Sequence, residues 1–300
     1  MRIAVWGAGE IGTQLAYRLT SSAHVSEIHW INGRSDKIGT RVVDIQHGLA
    51  FAPTCHWVKK YALQRASKAL AQSDLVVLAV GGKVPKGGSR LDLLEQNKEV
   101  LNQAVVPLLT GYPGIVLVVT NPVDALTLHV QKSAAISAAR CIGLGTVVET
   151  ARVRAALAKH MTPLRPPREV LAYAIGTHDE HVVVVTTGAT ALAGKPWPDA
   201  IVEMARKETV LAAARVKEDG RSTLHPVVEG TISVLEAIAA DRRAVLTVST
   251  LDSERRICYS LPCTLGRDGV VHRHLDVLSD PQVEASLEAC ISRLQPAQSV

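Results

Sequence analysis

The chain has 300 residues, of which 47% are hydrophobic and 20% charged, a composition typical of a folded globular protein with room for two domains. The net charge is +5, and the cations form no basic block interleaved with aromatic residues, so the composition argues against nucleic acid binding. The longest apolar run, around Ile115–Val119, falls far short of the roughly 20 residues of a membrane span.

The cysteines and the N-terminus indicate the compartment. The five cysteines have no CxxC spacing, which favours reduced, mostly buried thiols and predicts neither a disulfide framework nor a metal site. Met1 runs directly into a strand pattern without a signal peptide. We therefore expect a cytoplasmic protein.

The first motif is a glycine turn between a short apolar strand, Ile3–Trp6, and a helical pattern. Its sequence is Gly7-Ala8-Gly9-Glu10-Ile11-Gly12, which has the spacing GxGxxG. Glycine allows a tight turn and lets the backbone approach a pyrophosphate at the positive end of the helix. The spacing alone also fits an ordinary strand-to-helix turn, but its flanks favour dinucleotide binding.

The next strand, Glu27–Ile31, ends at Asn32, where a dinucleotide fold usually places an acid on the adenosine ribose. Without that carboxylate a ribose 2′-phosphate is not repelled, and Arg34 and Ser35 could bind it. The sequence therefore favours NADP over NAD, and the alternative is an asparagine that merely contacts the ribose.

Two buried strands follow, and polar segments come after each of them. Leu75–Val80 leads into the glycine- and lysine-rich segment Gly81–Arg90, which is either a solvated connection or a loop that closes over substrate. Ile115–Val119 ends in Thr120–Asp124, at the sheet edge where open α/β folds bind ligands.

The second half carries a histidine between two β-rich runs. The runs are Leu171–Ile175 and Val182–Thr187, and His178 lies between them beside the carboxylates of Asp179 and Glu180. His181, which begins the next strand, is a weaker candidate. A lone histidine at a strand end is often structural, but it can also exchange a proton with a carbonyl or an alcohol. Helices are expected over Gly145–Met161, Asp199–Glu218, Thr223–Ala240 and Pro281–Leu294, and strands over Val245–Thr250 and Ile257–Leu261.

Taken in order, these motifs resemble the lactate/malate dehydrogenase family of L-2-hydroxyacid dehydrogenases. The matching segments span nearly the whole chain and are Gly7–Gly12, Asp44–Gly48, Gly87–Asn97, Thr120–Asp124, Gly145–Arg152, Gly176–His178 and Ser260–Gly266. The resemblance implies an α/β fold: a doubly wound (Rossmann) dinucleotide-binding domain over residues 1–143, then an α+β catalytic domain over residues 144–300. Because the family is usually oligomeric, a dimer or tetramer is expected.

The resemblance also implies roles for individual residues. His178 exchanges the hydroxyl proton, Glu149 orients it, Arg152 holds the substrate carboxylate, and Arg90 polarises the carbonyl. Asn121, before a cis proline bond, contacts the substrate oxygen. Ser222 and Thr223 fall near a position that lines the substrate pocket, or they cap a helix. The residues expected at the cofactor are Gly7, Gly9, Glu10, Ile11, Gly12, Asn32, Arg34, Ser35, Gly81, Asn97 and Asn121.

The chain departs from the family pattern at three positions. Glu149 stands where the family has aspartate, and Asp179 where it has glycine, so a catalytically weakened NAD(P)-binding sensor is an alternative. Val84 occupies the position that discriminates substrates, and valine favours a 2-oxo acid with an apolar side chain over malate. The second choice is a dicarboxylate bound by Lys83 or Lys86.

Overall fold

The computed structural model describes residues 1–33, 35–52, 56–82, 90–161, 163–178, 181–186, 196–218 and 223–294. The side chains of residues 35–37, 90–91, 213–214 and 217–218 are outside this description.

The first half alternates strands and helices. Its strands are β1 (Arg2–Trp6), β2 (Glu27–Asn32), β3 (Val58–Ala62), β4 (Leu75–Leu78), β5 (Ile115–Val118) and β6 (Cys141–Gly143). Its helices are α1 (Glu10–Leu19), α2 (Ser35–Gly48), α3 (Ala66–Ala71), α4 (Arg90–Ala104), α5 (Val106–Leu109) and α6 (Val123–Ser133). All neighbouring pairs of these strands are parallel, in the spatial order β3-β2-β1-β4-β5-β6. The chain thus has the doubly wound α/β fold that its glycine turn and buried strands predict.

The second half extends the same sheet. Its elements in chain order are α7 (Val147–Ala158), β7 (Ala172–Ile175), β8 (Val183–Thr186), α8 (Asp199–Glu218), α9 (His225–Ala239), β9 (Ala244–Asp252), β10 (Ile257–Gly266), β11 (Gly269–Arg273) and α10 (Pro281–Ile291). β9 joins the edge of β6 in antiparallel fashion, through Gly143 and Ser249, and β10 and β11 follow it outward. β7 and β8 form a separate antiparallel pair.

The central strands β1, β4 and β5 are buried on both faces, as their apolar sequences predict. Along β1, Ile3 and Val5 belong to the core that includes α1, α2 and α9, whereas Ala4 and Trp6 belong to the opposite core with α3 to α6. A third cluster packs α7 and α8 against β7. The described helices include none with the length and apolar character that a membrane span requires.

Several bounds differ from the predicted ones. β4 ends at Leu78 rather than Val80, although the Ala79 N–H still donates to the Trp6 carbonyl oxygen, and α7 ends at Ala158 rather than near Met161. β10 continues to Gly266, since its partners β9 and β11 extend the ladder beyond the apolar run.

Candidate active site

The glycine turn after β1 is built by close backbone approaches. Gly7 has φ +129°, and a Cβ there would lie 2.2 Å from the Ala79 carbonyl oxygen. A Cβ on Gly12 would lie 2.1 Å from the Gly7 carbonyl oxygen, so α1 passes directly against the turn. Gly9, the N-cap of α1, has open space where a side chain would stand and no side-chain cap. The N-terminus of α1 is therefore accessible to a phosphate, as dinucleotide binding requires.

The loops after β4 and β5 are tied together by one buried amide. Asn97 accepts a hydrogen bond from the Gly82 N–H (2.8 Å) and donates to the Asn121 carbonyl oxygen (2.7 Å). A Cβ on Gly81 would lie 2.7 Å from Asn97 Oδ1. The Asn121–Pro122 bond is cis, which confirms that expectation. The predicted cofactor residues Gly81, Asn97 and Asn121 therefore meet at the carboxyl edge of the sheet.

A histidine, a carboxylate and an arginine meet at the start of α7. His178 Nδ1 lies 2.8 Å from Glu149 Oε2, and Arg152 Nη1 donates to Glu149 Oε1 at 3.1 Å. Arg152 Nη2 also donates to Thr223 Oγ1 at 3.0 Å, just before α9. Each oxygen of one carboxylate therefore has its own partner. The extra methylene of Glu149, relative to aspartate, does not prevent contact with His178.

The exposure of these side chains separates their possible tasks. The side chain of Glu149 is 6% exposed, whereas that of His178 is 23% exposed. The imidazole side chain is therefore partly exposed, whereas the carboxylate is buried behind it. Glu149 is a buried acid flanked by two donors, and such pairing offsets the cost of removing a charge from water.

The backbone on both sides of this site is fixed by buried hydroxyl groups. Thr150 Oγ1 accepts from the Ala174 N–H (2.9 Å) and lies 2.8 Å from Thr247 Oγ1. Thr146 N–H donates to Ser260 Oγ (3.1 Å), and two backbone hydrogen bonds of 2.8 Å join Gly176 to Ser260. α7 is thereby anchored to β7, β9 and β10, which sets the separation of Glu149 and His178.

Two side chains at the site were not assigned these roles by the sequence. Asp124, in the first turn of α6, accepts a hydrogen bond from the His178 N–H at 3.2 Å. Thr223 accepts a hydrogen bond from Arg152, and it is not the cap of α9, whose N-cap is Leu224. For both residues, the only local signal of a site role was that a polar side chain follows or precedes an apolar element.

Other candidates lie elsewhere or outside the described residues. His181 Nε2 contacts Arg293 Nη1 at 2.9 Å, on the α10 side of the strand pair. The predicted positions that the structure does not describe are Arg34, Val84, Asp179, Glu180 and Ser222, together with Lys83 and Lys86 and the side chains of Ser35 and Arg90.

The described cysteines carry no site chemistry. Cys141, Cys258, Cys263 and Cys290 are buried and form no disulfide with one another, and Cys55 lies outside the described residues. Burial raises the pKa of the Cys141 thiol to about 12, so it stays protonated at neutral pH. Within the described residues no group of three or more His, Cys, Asp or Glu side chains is arranged to hold a metal ion.

The fold and the site together define a class: an α/β dinucleotide-binding protein with an accessible imidazole beside an arginine. Comparison with known proteins narrows that class. Residues 1–143 match the family model of the NAD-binding domain of lactate/malate dehydrogenase. The L-lactate dehydrogenase of Synechococcus sp. (strain JA-3-3Ab) is 32% identical over 283 residues, which cover 90% of each chain. The chain belongs to the lactate/malate dehydrogenase family.

Solved structures show the same fold. The minor L-lactate dehydrogenase of Enterococcus mundtii, in its ligand-bound form, superposes with a TM-score of 0.89 at 24% identity, covering 99% of this chain and 97% of that one. The malate dehydrogenase of Cryptosporidium parvum gives a TM-score of 0.88 at 20% identity, covering 100% and 98%. At these identities the likeness describes the fold and leaves the substrate open.

Proposed function

We propose that the protein is a nicotinamide-dependent dehydrogenase that interconverts L-2-hydroxy acids and 2-oxo acids. The observation that carries this proposal is the 2.8 Å contact of His178 Nδ1 with the buried Glu149 carboxylate, with Arg152 on the other oxygen of that carboxylate. The similarity to L-lactate dehydrogenases supports the same reaction class.

His178 is the group that exchanges the proton. Because Glu149 accepts at Nδ1, the neutral imidazole keeps its proton there and presents Nε2 as the base. Nε2 then takes the hydroxyl proton of the 2-hydroxy acid, or returns it to the carbonyl oxygen in the reverse direction. While His178 carries the extra proton, Glu149 stabilises the imidazolium.

Arg152 and Arg90 handle the substrate charges. A planar guanidinium suits a bidentate grip on a carboxylate, and Thr223 and Glu149 already fix the orientation of Arg152. Arg90, the first residue of α4, stabilises the charge that develops on the carbonyl oxygen in this proposal. Asn121 contacts the same oxygen, and Ser222 lines the pocket.

The cofactor would be held by the glycine turn and by the two loops that Asn97 joins. When bound, the nicotinamide accepts or supplies the hydride at C2 of the acid. The pyrophosphate would lie at Gly9, Glu10 and Ile11, where the backbone is accessible. We favour NADP over NAD because Asn32 is neutral and Arg34 and Ser35 follow it; the match to an NAD-binding domain supports a nicotinamide dinucleotide without selecting between them.

The substrate is a 2-oxo acid whose side chain is apolar, in keeping with Val84 at the discriminating position. A dicarboxylate bound through Lys83 or Lys86 is the second choice. We also propose that residues 1–143 form a cofactor domain and residues 144–300 a catalytic domain. The proposed location is the cytoplasm.

An assembly of two or four copies fits the exposed apolar surface. Large apolar side chains are exposed on α1, on α2, and on the segment between α2 and β3: Tyr17 (48%), Val43 (48%), Phe51 (93%) and Trp57 (65%). Such patches usually mark contacts between proteins. Light scattering on wild type and Phe51→Asp tests this assignment, since a monomeric wild-type protein would contradict it.

A substrate-by-cofactor panel tests the proposed function. The purified protein is assayed with pyruvate, longer apolar 2-oxo acids and oxaloacetate, each with NADPH and with NADH. Turnover of an apolar 2-oxo acid, faster with NADPH, is expected. Tight cofactor binding without turnover of any acid would replace the proposal with the sensor function that Glu149 and Asp179 leave open.

A further inference from the structure

An arginine that the proposed reaction does not use crosses from α2 to the glycine turn. Arg41 donates through Nη1 to the Ala8 carbonyl oxygen and to Thr13 Oγ1, the latter at 2.9 Å. Ala8 is the residue between the first two glycines of the turn, and Thr13 is in the first part of α1. The guanidinium of Arg41 therefore lies against the proposed cofactor site.

Backbone pairing places this guanidinium near the end of β2. The Gly7 N–H donates to the Ile31 carbonyl oxygen at 3.0 Å. The next residues of the two segments, Ala8 and Asn32, therefore lie near each other. Neighbouring strands are about 4.8 Å apart. In dinucleotide-binding folds the residue at the end of the second strand faces the 2′ position of the adenosine ribose. Arg41 thus brings a positive charge to the neighbourhood of that position.

The charge of Arg41 is not neutralised by its described surroundings. Asn32 is uncharged, and within the described part of the chain no carboxylate forms an ion pair with Arg41, although Asp44 lies one helical turn away. Both described hydrogen bonds of Arg41 use Nη1, so Nε and Nη2 have no partner among the described residues. A fork of two neighbouring N–H groups is the donor set that a phosphate monoester prefers.

We propose that Arg41 binds the 2′-phosphate of NADP and determines the cofactor preference. This inference rests on the proposed function, because it assumes a nicotinamide dinucleotide in the glycine turn. Arg41 holds the turn with one nitrogen and the phosphate with the other two. A ribose that carries only a hydroxyl at the 2′ position gains little from this guanidinium.

Two nucleotide fragments separate this role from simple support of the turn. Adenosine 2′,5′-bisphosphate carries the 2′-phosphate, whereas 5′-AMP lacks it and otherwise needs the same site. Isothermal titration calorimetry measures both on wild type, Arg41→Gln and Arg41→Lys. Arg168→Gln, an exposed arginine in the turn before β7, is the control for the loss of one positive charge.

The expected result is a selective loss. Wild type binds the bisphosphate at least tenfold more tightly than 5′-AMP. Arg41→Gln lowers the affinity for the bisphosphate about tenfold to hundredfold, because it removes hydrogen bonds between two charged groups. The same variant changes 5′-AMP affinity less than threefold, Arg41→Lys retains more bisphosphate affinity than Arg41→Gln, and Arg168→Gln matches wild type.

Other outcomes overturn the inference. If Arg41→Gln loses affinity for both fragments equally, Arg41 only supports the turn. If the affinity for both fragments is unchanged, Arg41 has no role in nucleotide binding. A wild-type protein that does not discriminate between the fragments refutes both the NADP preference and this inference. If the selective loss appears in a protein that reduces no 2-oxo acid, the inference stands while the proposed reaction fails.

Discussion

Shortening Glu149 by one methylene tests whether this site is built for glutamate. In Glu149→Asp the carboxylate retreats by about 1.5 Å, the length of one carbon–carbon bond. The present separations are 2.8 Å to His178 Nδ1 and 3.1 Å to Arg152 Nη1, so both contacts would open beyond hydrogen-bonding distance. The backbone cannot easily follow, because Thr146 and Thr150 anchor α7 to the strands behind it.

The expected cost of this change is large and specific. Misplacement of a catalytic group by about 1 Å can lower the rate on the order of 100-fold. We therefore expect kcat to fall about 100-fold in Glu149→Asp, with cofactor affinity within threefold of wild type. Steady-state kinetics with the best 2-oxo acid measures kcat, and fluorescence titration measures cofactor binding.

The control is an equivalent change on the surface. Glu203→Asp shortens a half-buried glutamate that pairs with Arg206 on α8, far from the proposed site in sequence, and it should leave kcat unchanged. A Glu149→Asp variant with wild-type or higher kcat would refute the reasoning, because it would show that the site tolerates the shorter acid or prefers it.

Thr223→Val removes one hydrogen bond from the guanidinium of Arg152, which we propose binds the substrate carboxylate. KM for the oxo acid should therefore rise about tenfold with kcat within threefold, and Thr223→Ser should restore it. Gly12→Ala pushes a methyl group against the Gly7 carbonyl, and calorimetry should show destabilisation of about 1–3 kcal/mol together with weaker cofactor binding. The hydrogen bonds from Arg2 lower the pKa of the Asp74 carboxyl, so their stabilisation is complete above the unfolded pKa of about 3.9 and is lost as pH falls through the lowered pKa of the folded state. Asp74→Asn should therefore lower Tm more at pH 7 than near pH 2; an equal Tm difference at both pH values would contradict this reasoning.

The parts of the fold that local sequence encodes were predictable. A glycine turn between an apolar strand and a helix, and continuous apolar runs such as Ile115–Val118, carry their own signal. The helix Asp199–Glu218 has its predicted bounds. β3 (Val58–Ala62) was missed because two lysines break its apolar pattern at the sheet edge, and β6 (Cys141–Gly143) because it has only three residues.

Long-range pairing was outside the reach of local patterns. The antiparallel union of β9 with β6, which joins both halves of the chain in one sheet, depends on contacts between Gly143 and Ser249. Glu149 and His178 are 29 positions apart, so no spacing argument could predict their contact, and the family resemblance supplied it. The contact of Thr223 with Arg152 could be found only from the structure, since a hydroxyl group beside the start of a helix is usually a cap.

The most direct test of the proposed reaction is the rate of oxo acid reduction by His178→Gln after rapid mixing with substrate and reduced cofactor. Glutamine has a similar reach but cannot exchange a proton in this pH range, so the rate should fall about 10²- to 10⁴-fold while cofactor affinity stays within threefold of wild type. A rate within tenfold of wild type would show that another group exchanges the proton and would contradict the central role of the His178–Glu149 pair.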